Sequence, residues 1–97
     1  MNRSLFSEMH KAAVSMSKSA LYGSEKIESV EIQLKTRDGE TYAVTTVKWD
    51  TEYETKEIDN VTLLSDWIEI DRLGYMHIIP YDEIASIHNT CKRRKRE

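Results

Sequence analysis

The sequence predicts an α+β fold, in which one N-terminal helix packs on a small antiparallel β-barrel of five or six strands. Apolar residues recur every three or four positions in the first 21 residues, as in an amphipathic helix. After Gly23 the apolar period shortens to two, which is typical of half-buried strands. Turn signals separate the short strands, and the only proline, Pro80, stands where a late strand is expected to end.

The predicted helix covers residues 4–21. Ser4 is the expected N-cap, because its hydroxyl can accept a hydrogen bond from a first-turn amide, and Gly23 is expected to be left-handed just after the helix end. Serines within the segment lower its helix propensity, so we expect its stability to depend on docking. The apolar stripe consists of Leu5, Met9, Ala12, Met16 and Ala20, widened by Phe6 and Ala13.

Alternation predicts the first two strands. Residues 27–35 place apolar side chains on one face and polar ones on the other; the apolar set is Val30, Ile32 and Leu34. The Asp38-Gly39 pair then favours a hairpin turn, because both residues tolerate a positive φ. Residues 40–50 are therefore predicted to form the returning strand.

The second half of the chain contains shorter segments. Residues 50–56 show no strong apolar side and are interpreted as an exposed excursion or a bent hairpin end. Residues 57–65 and 66–72 are predicted strands, and Leu73-Gly74 is a predicted turn. The remaining predictions are a strand at 75–80, a single helical turn at 81–83 and a last strand at 84–89.

One domain is predicted over residues 1–90, with the helix at 4–21 and the barrel at 27–88, followed by a disordered basic tail at 91–97. The net charge of −3 conceals an uneven distribution, because residues 25–90 hold fifteen acidic and six basic residues. An acidic body repels a phosphate backbone, so the tail is the part suited to nucleic acid.

Composition also limits location and chemistry. No apolar stretch reaches the length of a membrane span, and charged residues interrupt the N-terminal region where a signal sequence would be apolar. The single cysteine, Cys91, fits a reducing compartment. We therefore expect a cytoplasmic protein with no membrane partner.

The segment "YMHIIPYDEIASI" at residues 75–87 carries a first resemblance. With the N-terminal helix and the succession of short strands, it resembles the Sm-like barrels of the Sm, Lsm and Hfq proteins. The similar positions are Tyr75, His77 and the following isoleucines. That resemblance implies an oligomeric ring that binds RNA near His77.

A second resemblance rests on "RDG" at 37–39 and "IPYDEIASI" at 79–87. These segments look like the C-terminal part of the YolD-like accessory proteins of Gram-positive bacteria and their phages. The resemblance implies a non-enzymatic accessory factor. A short acidic domain with a basic tail is also similar in style to small phage proteins that redirect a host component.

Residues that could carry catalysis or hold a metal have simpler interpretations. His88 and Cys91 form a lone H-x-x-C pair, whereas a structural zinc site normally draws on two such pairs. Asp82 and Glu83 fit a turn, and the chain contains no nucleophile elbow or glycine-rich phosphate loop. We expect no catalytic residues, no metal and no cofactor.

The preferred prediction is a non-catalytic binding module, of the kind encoded by phages or mobile elements as accessory or inhibitor proteins. It would engage a host protein with a basic surface through an acidic face that carries aromatic residues. Whether the two tryptophans are core or interface residues is left open. The predicted partner-binding residues are Trp49, Asp50, Glu52, Tyr53, Glu54 and Trp67.

The alternative prediction is an Sm-like oligomer that binds RNA, DNA or nucleotides. Self-association fits this alternative, because the edge strands of an unclosed barrel can pair between protomers. Its ligand-binding residues would be His77 and the basic tail residues Lys92, Arg93, Arg94, Lys95 and Arg96.

Overall fold

The computed structural model describes residues 1–50 and 54–94, and the side chains of residues 1–49 and 55–94. The helix α1 is followed by seven strands and by one turn of 3₁₀ helix before the last strand. The elements are α1 Arg3–Gly23, β1 Ile27–Thr36, β2 Thr41–Asp50, β3 Glu54–Asp59, β4 Val61–Leu63, β5 Trp67–Arg72, β6 Tyr75–Pro80, the 3₁₀ turn Tyr81–Glu83 and β7 Ile84–Arg93.

The α+β class is confirmed, with one N-terminal helix packed on antiparallel sheets. The described strands number seven instead of five or six, and they form two sheets with no closed barrel. The four-stranded sheet has the order β3-β2-β1-β7, and the three-stranded sheet has the order β4-β5-β6. All pairs are antiparallel.

Asn60 divides the strands between the two sheets. The prediction placed one strand over residues 57–65, but the chain bends at Asn60 and forms β3 before it and β4 after it. The Asn60 N–H donates to the Val44 carbonyl of β2 at 2.8 Å, whereas its carbonyl accepts from the Asp71 N–H of β5 at 2.8 Å. One residue therefore bonds to both sheets, which is why the strand splits.

The ends of α1 differ from the prediction. Asn2 caps the helix, because its Oδ1 accepts from the Leu5 N–H at 2.8 Å, so Ser4 lies inside the first turn and is not the N-cap. Gly23 is the last helical residue and does not have the predicted left-handed φ. Ser24 follows with extended backbone and ends the helix.

The buried stripe of α1 is rotated from the predicted one. Leu5 and Met16 are exposed, whereas the buried helix residues are Phe6, Ala13, Ser17 and Leu21. Ser17 can be buried because its Oγ donates to the Ala13 carbonyl at 2.8 Å and accepts from Asn89 Nδ2 at 3.1 Å. A hydroxyl satisfied by tertiary contacts thus occupies a position that apolar periodicity does not identify.

The alternation predicted for β1 is confirmed. Val30, Ile32 and Leu34 are buried, and the intervening polar residues are more exposed. In β2 the register shifts by one residue opposite Ile32 and Gln33, which inserts Val44 as a β-bulge. Val44 and Thr45 are consequently both buried although they are adjacent in sequence.

The segment around Pro80 connects the two sheets. β6 ends at Pro80, and the predicted helical turn at residues 81–83 is confirmed as the 3₁₀ turn that leads into β7. The buried Tyr81 hydroxyl donates to the Leu64 carbonyl at 2.6 Å, and the Arg37 N–H donates to the Glu83 carbonyl at 2.9 Å. The segment is therefore a structural corner between sheets.

The last strand is longer than predicted. β7 continues to Arg93 and pairs with β1, so residues 91–93 belong to the sheet and the predicted boundary of the tail at residue 91 is corrected. Residues 95–97 lie outside the described residues.

Candidate binding surfaces

The hairpin of β5 and β6 exposes a group of large apolar side chains. Leu73 at its tip is 92% exposed, and Met76 and Ile78 are exposed on β6. We name the exposed apolar residues of this hairpin, which are Trp67, Leu73, Tyr75, Met76 and Ile78, the hairpin surface. The side chains of Trp67, Met76 and Ile78 project from one face of the hairpin, whereas Tyr75, paired with Arg72, projects from the other. Clusters of exposed apolar side chains often mark interaction sites.

The hairpin tip combines exposure with an unfavourable backbone conformation. Leu73 has a φ of 53° and Gly74 a φ of 83°, so both central residues of the two-residue turn are left-handed. Asn or Gly usually occupies the first of these positions, and a left-handed φ costs other residues about 1–2 kcal/mol. Leu73 therefore bears both a conformational cost and an exposed apolar side chain.

Acidic residues lie beside the apolar residues of β6. Asp71 is directly paired with Met76, and Glu69 with Ile78. Directly paired residues of an antiparallel ladder project from the same face. Among the described strands, β6 pairs only with β5, and Tyr42 of β2 lies beside it, with its ring centroid 5.4 Å from that of His77.

The two tryptophans predicted to bind the partner lie on different sheets. Trp67 lies on the hairpin surface, whereas Trp49 lies on β2 of the other sheet and is half-buried beside the small core cluster of Leu21, Val30 and Val47. The Trp49 ring meets Tyr22 edge-on, with the ring centroids 5.3 Å apart. The tryptophans thus differ in role: Trp49 extends a core cluster, and Trp67 is the exposed one.

The other predicted partner-binding residues lie at the end of the β2–β3 hairpin. Asp50 is paired with Glu54 in the ladder, but the side chains of both lie outside the described residues. Glu52 and Tyr53 lie wholly outside them.

Of the residues predicted for nucleic-acid binding, His77 and the pair Lys92 and Arg93 fall on different sheets. His77 lies on β6, half-buried, with its ring centroid 5.4 Å from that of Tyr42. Lys92 and Arg93 belong to β7, and the Arg94 N–H donates to the Lys26 carbonyl at 2.9 Å. Lys95 and Arg96 lie outside the described residues.

A buried polar network, absent from the sequence-based predictions, joins α1 to the four-stranded sheet. Thr45 Oγ1 donates to Asp59 Oδ1 at 2.6 Å and lies 2.7 Å from His10 Nε2. Because the hydroxyl has one proton, which it donates to Asp59, the His10 nitrogen must be the donor in the second bond. No local spacing could reveal this network, since its members stand 35 and 14 residues apart.

The network is arranged for packing instead of nucleophilic attack. A nucleophilic hydroxyl needs a base that takes its proton and a path to substrate. Thr45 is fully buried, and His10 donates to its hydroxyl. The Phe6 ring stacks against His10 with the centroids 6.1 Å apart, which fixes the imidazole between helix and sheet.

His88 and Cys91 are not arranged as a metal-binding pair. Residues three apart in a strand project from opposite faces, and His88 lies 3.1 Å from Gln33 Oε1 across the ladder. Over residues 1–49 and 55–94, no group of three or more His, Cys, Asp or Glu side chains is placed to hold a metal ion.

Two side chains have pKa values moved by their surroundings. Thr36 donates a hydrogen bond to Asp38 in the β1–β2 turn, and with the Glu40 N–H it lowers the pKa of that carboxyl below 3.8. Burial raises the pKa of the Tyr81 hydroxyl above 10.0. Both groups lie at turns that position strands.

No family model, curated protein or solved structure matches this chain. The resemblances to Sm-like and YolD-like proteins therefore stay predictions. None of the described helices is long and apolar enough to cross a membrane.

Proposed function

We propose that the protein is a non-catalytic binding module that engages a partner protein through the hairpin surface. The main support is the conformation of Leu73, whose side chain is 92% exposed and whose φ is 53°. Asn or Gly would fit this turn better and would remove the exposed apolar side chain. Residues that break local rules without benefit to the fold are expected at functional sites.

The neighbouring residues supply area for an interface. Met76 and Ile78 add exposed apolar side chains, and Trp67 adds a partly exposed indole. Trp is enriched among residues that dominate binding energy, and Met adapts to irregular partner surfaces.

The charge of the hairpin favours a basic partner. Asp71 and Glu69 stand beside the apolar residues, and Asp66, Asp82 and Glu83 follow at the other end of the small sheet. Such a rim accelerates association with a positively charged surface and disfavours acidic ones. The expected partner is still a protein with a basic surface, but the proposed site lies on β5–β6 and not on Trp49 and the end of the β2–β3 hairpin. Origin in a phage or mobile element stays a prediction.

The test uses two variants that preserve the local structure. Leu73→Asn suits the left-handed turn position, and Ile78→Thr keeps a β-branched residue in the strand. Met16→Gln is the matched control, because Met16 is an exposed apolar residue on α1. Each immobilised chain is exposed to lysate of the source cell, and captured proteins are quantified by mass spectrometry.

A specific partner should be captured by the unchanged chain and by Met16→Gln, and should be lost from both hairpin variants. Its capture should also weaken between about 50 and 200 mM salt if the acidic rim contributes. Equal capture by all four chains would contradict the assignment of the hairpin surface.

A further inference from the structure

A row of lysines crosses the outer face of the four-stranded sheet. Lys56 of β3 pairs with Lys48 of β2. Across the next strands, Ser29 of β1 pairs with Lys48 on one side and with Lys92 of β7 on the other. Directly paired residues share a face, and alternation with the buried Val30 puts these residues on the side away from α1. We name Lys48, Lys56 and Lys92 the lysine row.

The row places like charges at short separations. Lys48 and Lys56 are direct neighbours, and Ser29 alone separates Lys48 from Lys92. With strands about 4.8 Å apart, the row spans roughly 14 Å. Like charges directly opposite in a ladder destabilise a sheet, so the arrangement carries a cost that a bound anion would relieve.

The rest of the face suits phosphate oxygens. The positions next to the row hold the hydroxyls of Thr46 and Thr90, paired on either side of Glu31. The acidic positions paired on this face are Glu31 next to the row and Asp50 and Glu54 at the end of the ladder, and none of the described pairs on it includes Phe, Tyr or Trp. Lysine, Ser/Thr and amide side chains are the groups that contact nucleic-acid backbones.

We propose that the lysine row binds the phosphate backbone of single-stranded nucleic acid. Three cations in one row complement the charges of a polyphosphate chain, and a flexible strand can follow a twisted sheet more closely than a rigid duplex. Because Phe, Tyr and Trp are absent from the described pairs of this face, bases have no large ring to stack on there, so binding is independent of sequence and depends strongly on salt.

The polar composition of this face favours nucleic acid over a membrane as its ligand. A membrane-binding surface pairs its cations with apolar residues that insert among lipids. Among the described residues paired on this face, Ile58 is the one exposed large apolar side chain, and it stands opposite Thr46. One such side chain does not make a surface that inserts among lipids. The ladder ends two positions beyond the lysines with Asp50 paired with Glu54, so the basic region is narrow and binding is weak. The lysine row lies on the four-stranded sheet, whereas the hairpin surface belongs to the three-stranded one.

The experiment measures fluorescence anisotropy of a labelled 20-nucleotide oligo-dT with the full chain. The test variant is Lys48→Gln/Lys56→Gln/Lys92→Gln, which retains residues 93–97, so any binding by the tail is common to both chains. Lys11→Gln on α1 is the control for loss of a surface charge. Circular dichroism verifies that the variants fold.

About three phosphate contacts give a slope near −2 for log affinity against log salt with a single strand, or about a 20-fold loss between 50 and 200 mM. The triple variant should lose most of this salt dependence and bind at least tenfold more weakly at 50 mM. Lys11→Gln and the hairpin variant Leu73→Asn should bind as the unchanged chain does, which keeps this test independent of the proposed protein partner.

Three results would overturn the inference. One is equal affinity and equal salt slope for the triple variant and Lys11→Gln. Another is tighter binding to a 20-base-pair duplex than to the single strand. The third is binding to phosphatidylserine vesicles with none to the oligonucleotide at 50 mM salt.

Discussion

Replacing Thr45 with valine tests whether the buried network stabilises the attachment of α1 to the sheet. Valine has nearly the same shape, so Thr45→Val removes the hydroxyl without creating a cavity. It deletes one bond to a carboxylate at 2.6 Å and one from His10 at 2.7 Å. A bond to a charged group contributes about 1.5–3 kcal/mol, and a neutral one about 0.5–1.5 kcal/mol.

Burial decides how much of that free energy is lost. The Asp59 side chain is 47% exposed, so water replaces much of its lost bond, whereas the His10 side chain is only 13% exposed and its N–H is left poorly solvated. Discounting the carboxylate term for solvent gives an expected destabilisation of about 2 kcal/mol. For a domain of this size, the melting temperature should fall by about 8–16 °C.

Urea unfolding followed by tryptophan fluorescence and circular dichroism gives the free energy directly. Thr46→Val is the matched control, since Thr46 lies on the outer face with no tertiary hydrogen bond among the described side chains. A Thr45→Val chain within about 0.5 kcal/mol of the control would refute the reasoning, because the network would then be incidental to stability.

Three further changes test single features. Tyr81→Phe should cost about 1 kcal/mol by removing the bond to Leu64, seen in urea midpoints at pH 7. Burial raises the pKa of Tyr81, so its contribution is complete below pH 10 and is lost as the pH rises through the raised pKa; Tyr81→Phe should flatten that alkaline decline. Because the fold lowers the pKa of Asp38, the ionised carboxylate stabilises the protein above pH 3.8, and this stabilisation is lost as the pH falls through the lowered pKa. Asp38→Asn should therefore flatten the acid side of a plot of urea midpoint against pH. Leu73→Asn should raise the melting temperature in calorimetry by relieving about 1 kcal/mol of backbone strain, and an unchanged value would contradict that strain.

Features that depend on neighbouring residues were predictable from the sequence. The α1 segment and the alternation of β1 follow from spacing, and the turns at residues 38–39 and 73–74 follow from their glycines, since Gly39 and Gly74 both have a positive φ. Asp38 does not have the positive φ that its pairing with Gly39 suggested, and Leu73 has one against its preference. The 3₁₀ turn after Pro80 belongs to the same class, because proline ends a strand locally.

Features that depend on distant partners were not predictable. The split at Asn60 arises from bonds to Val44 and Asp71, and the bulge at Val44 arises from the register with β1. Ser17 is a polar residue at a buried position because Asn89, 72 residues away, completes its hydrogen bonds. Apolar periodicity assigns such residues to the surface, because it depends on the polarity of a side chain and not on whether the fold supplies its hydrogen-bond partners.

The distribution of charge on the surface also depends on strand pairing, and the order of charged residues along the chain does not reveal it. Counting along the sequence assigned Lys48 and Lys56 to an acidic body and Lys92 to a basic tail, which favoured an acidic surface throughout the domain. Strand pairing removes that separation, because register puts all three on one face while Glu57, the neighbour of Lys56, turns toward α1 and pairs with Lys18 at 3.4 Å. A β domain that is acidic on average can thus gather lysines from distant segments in one row, so a prediction of its partners requires the register of its strands as well as its composition.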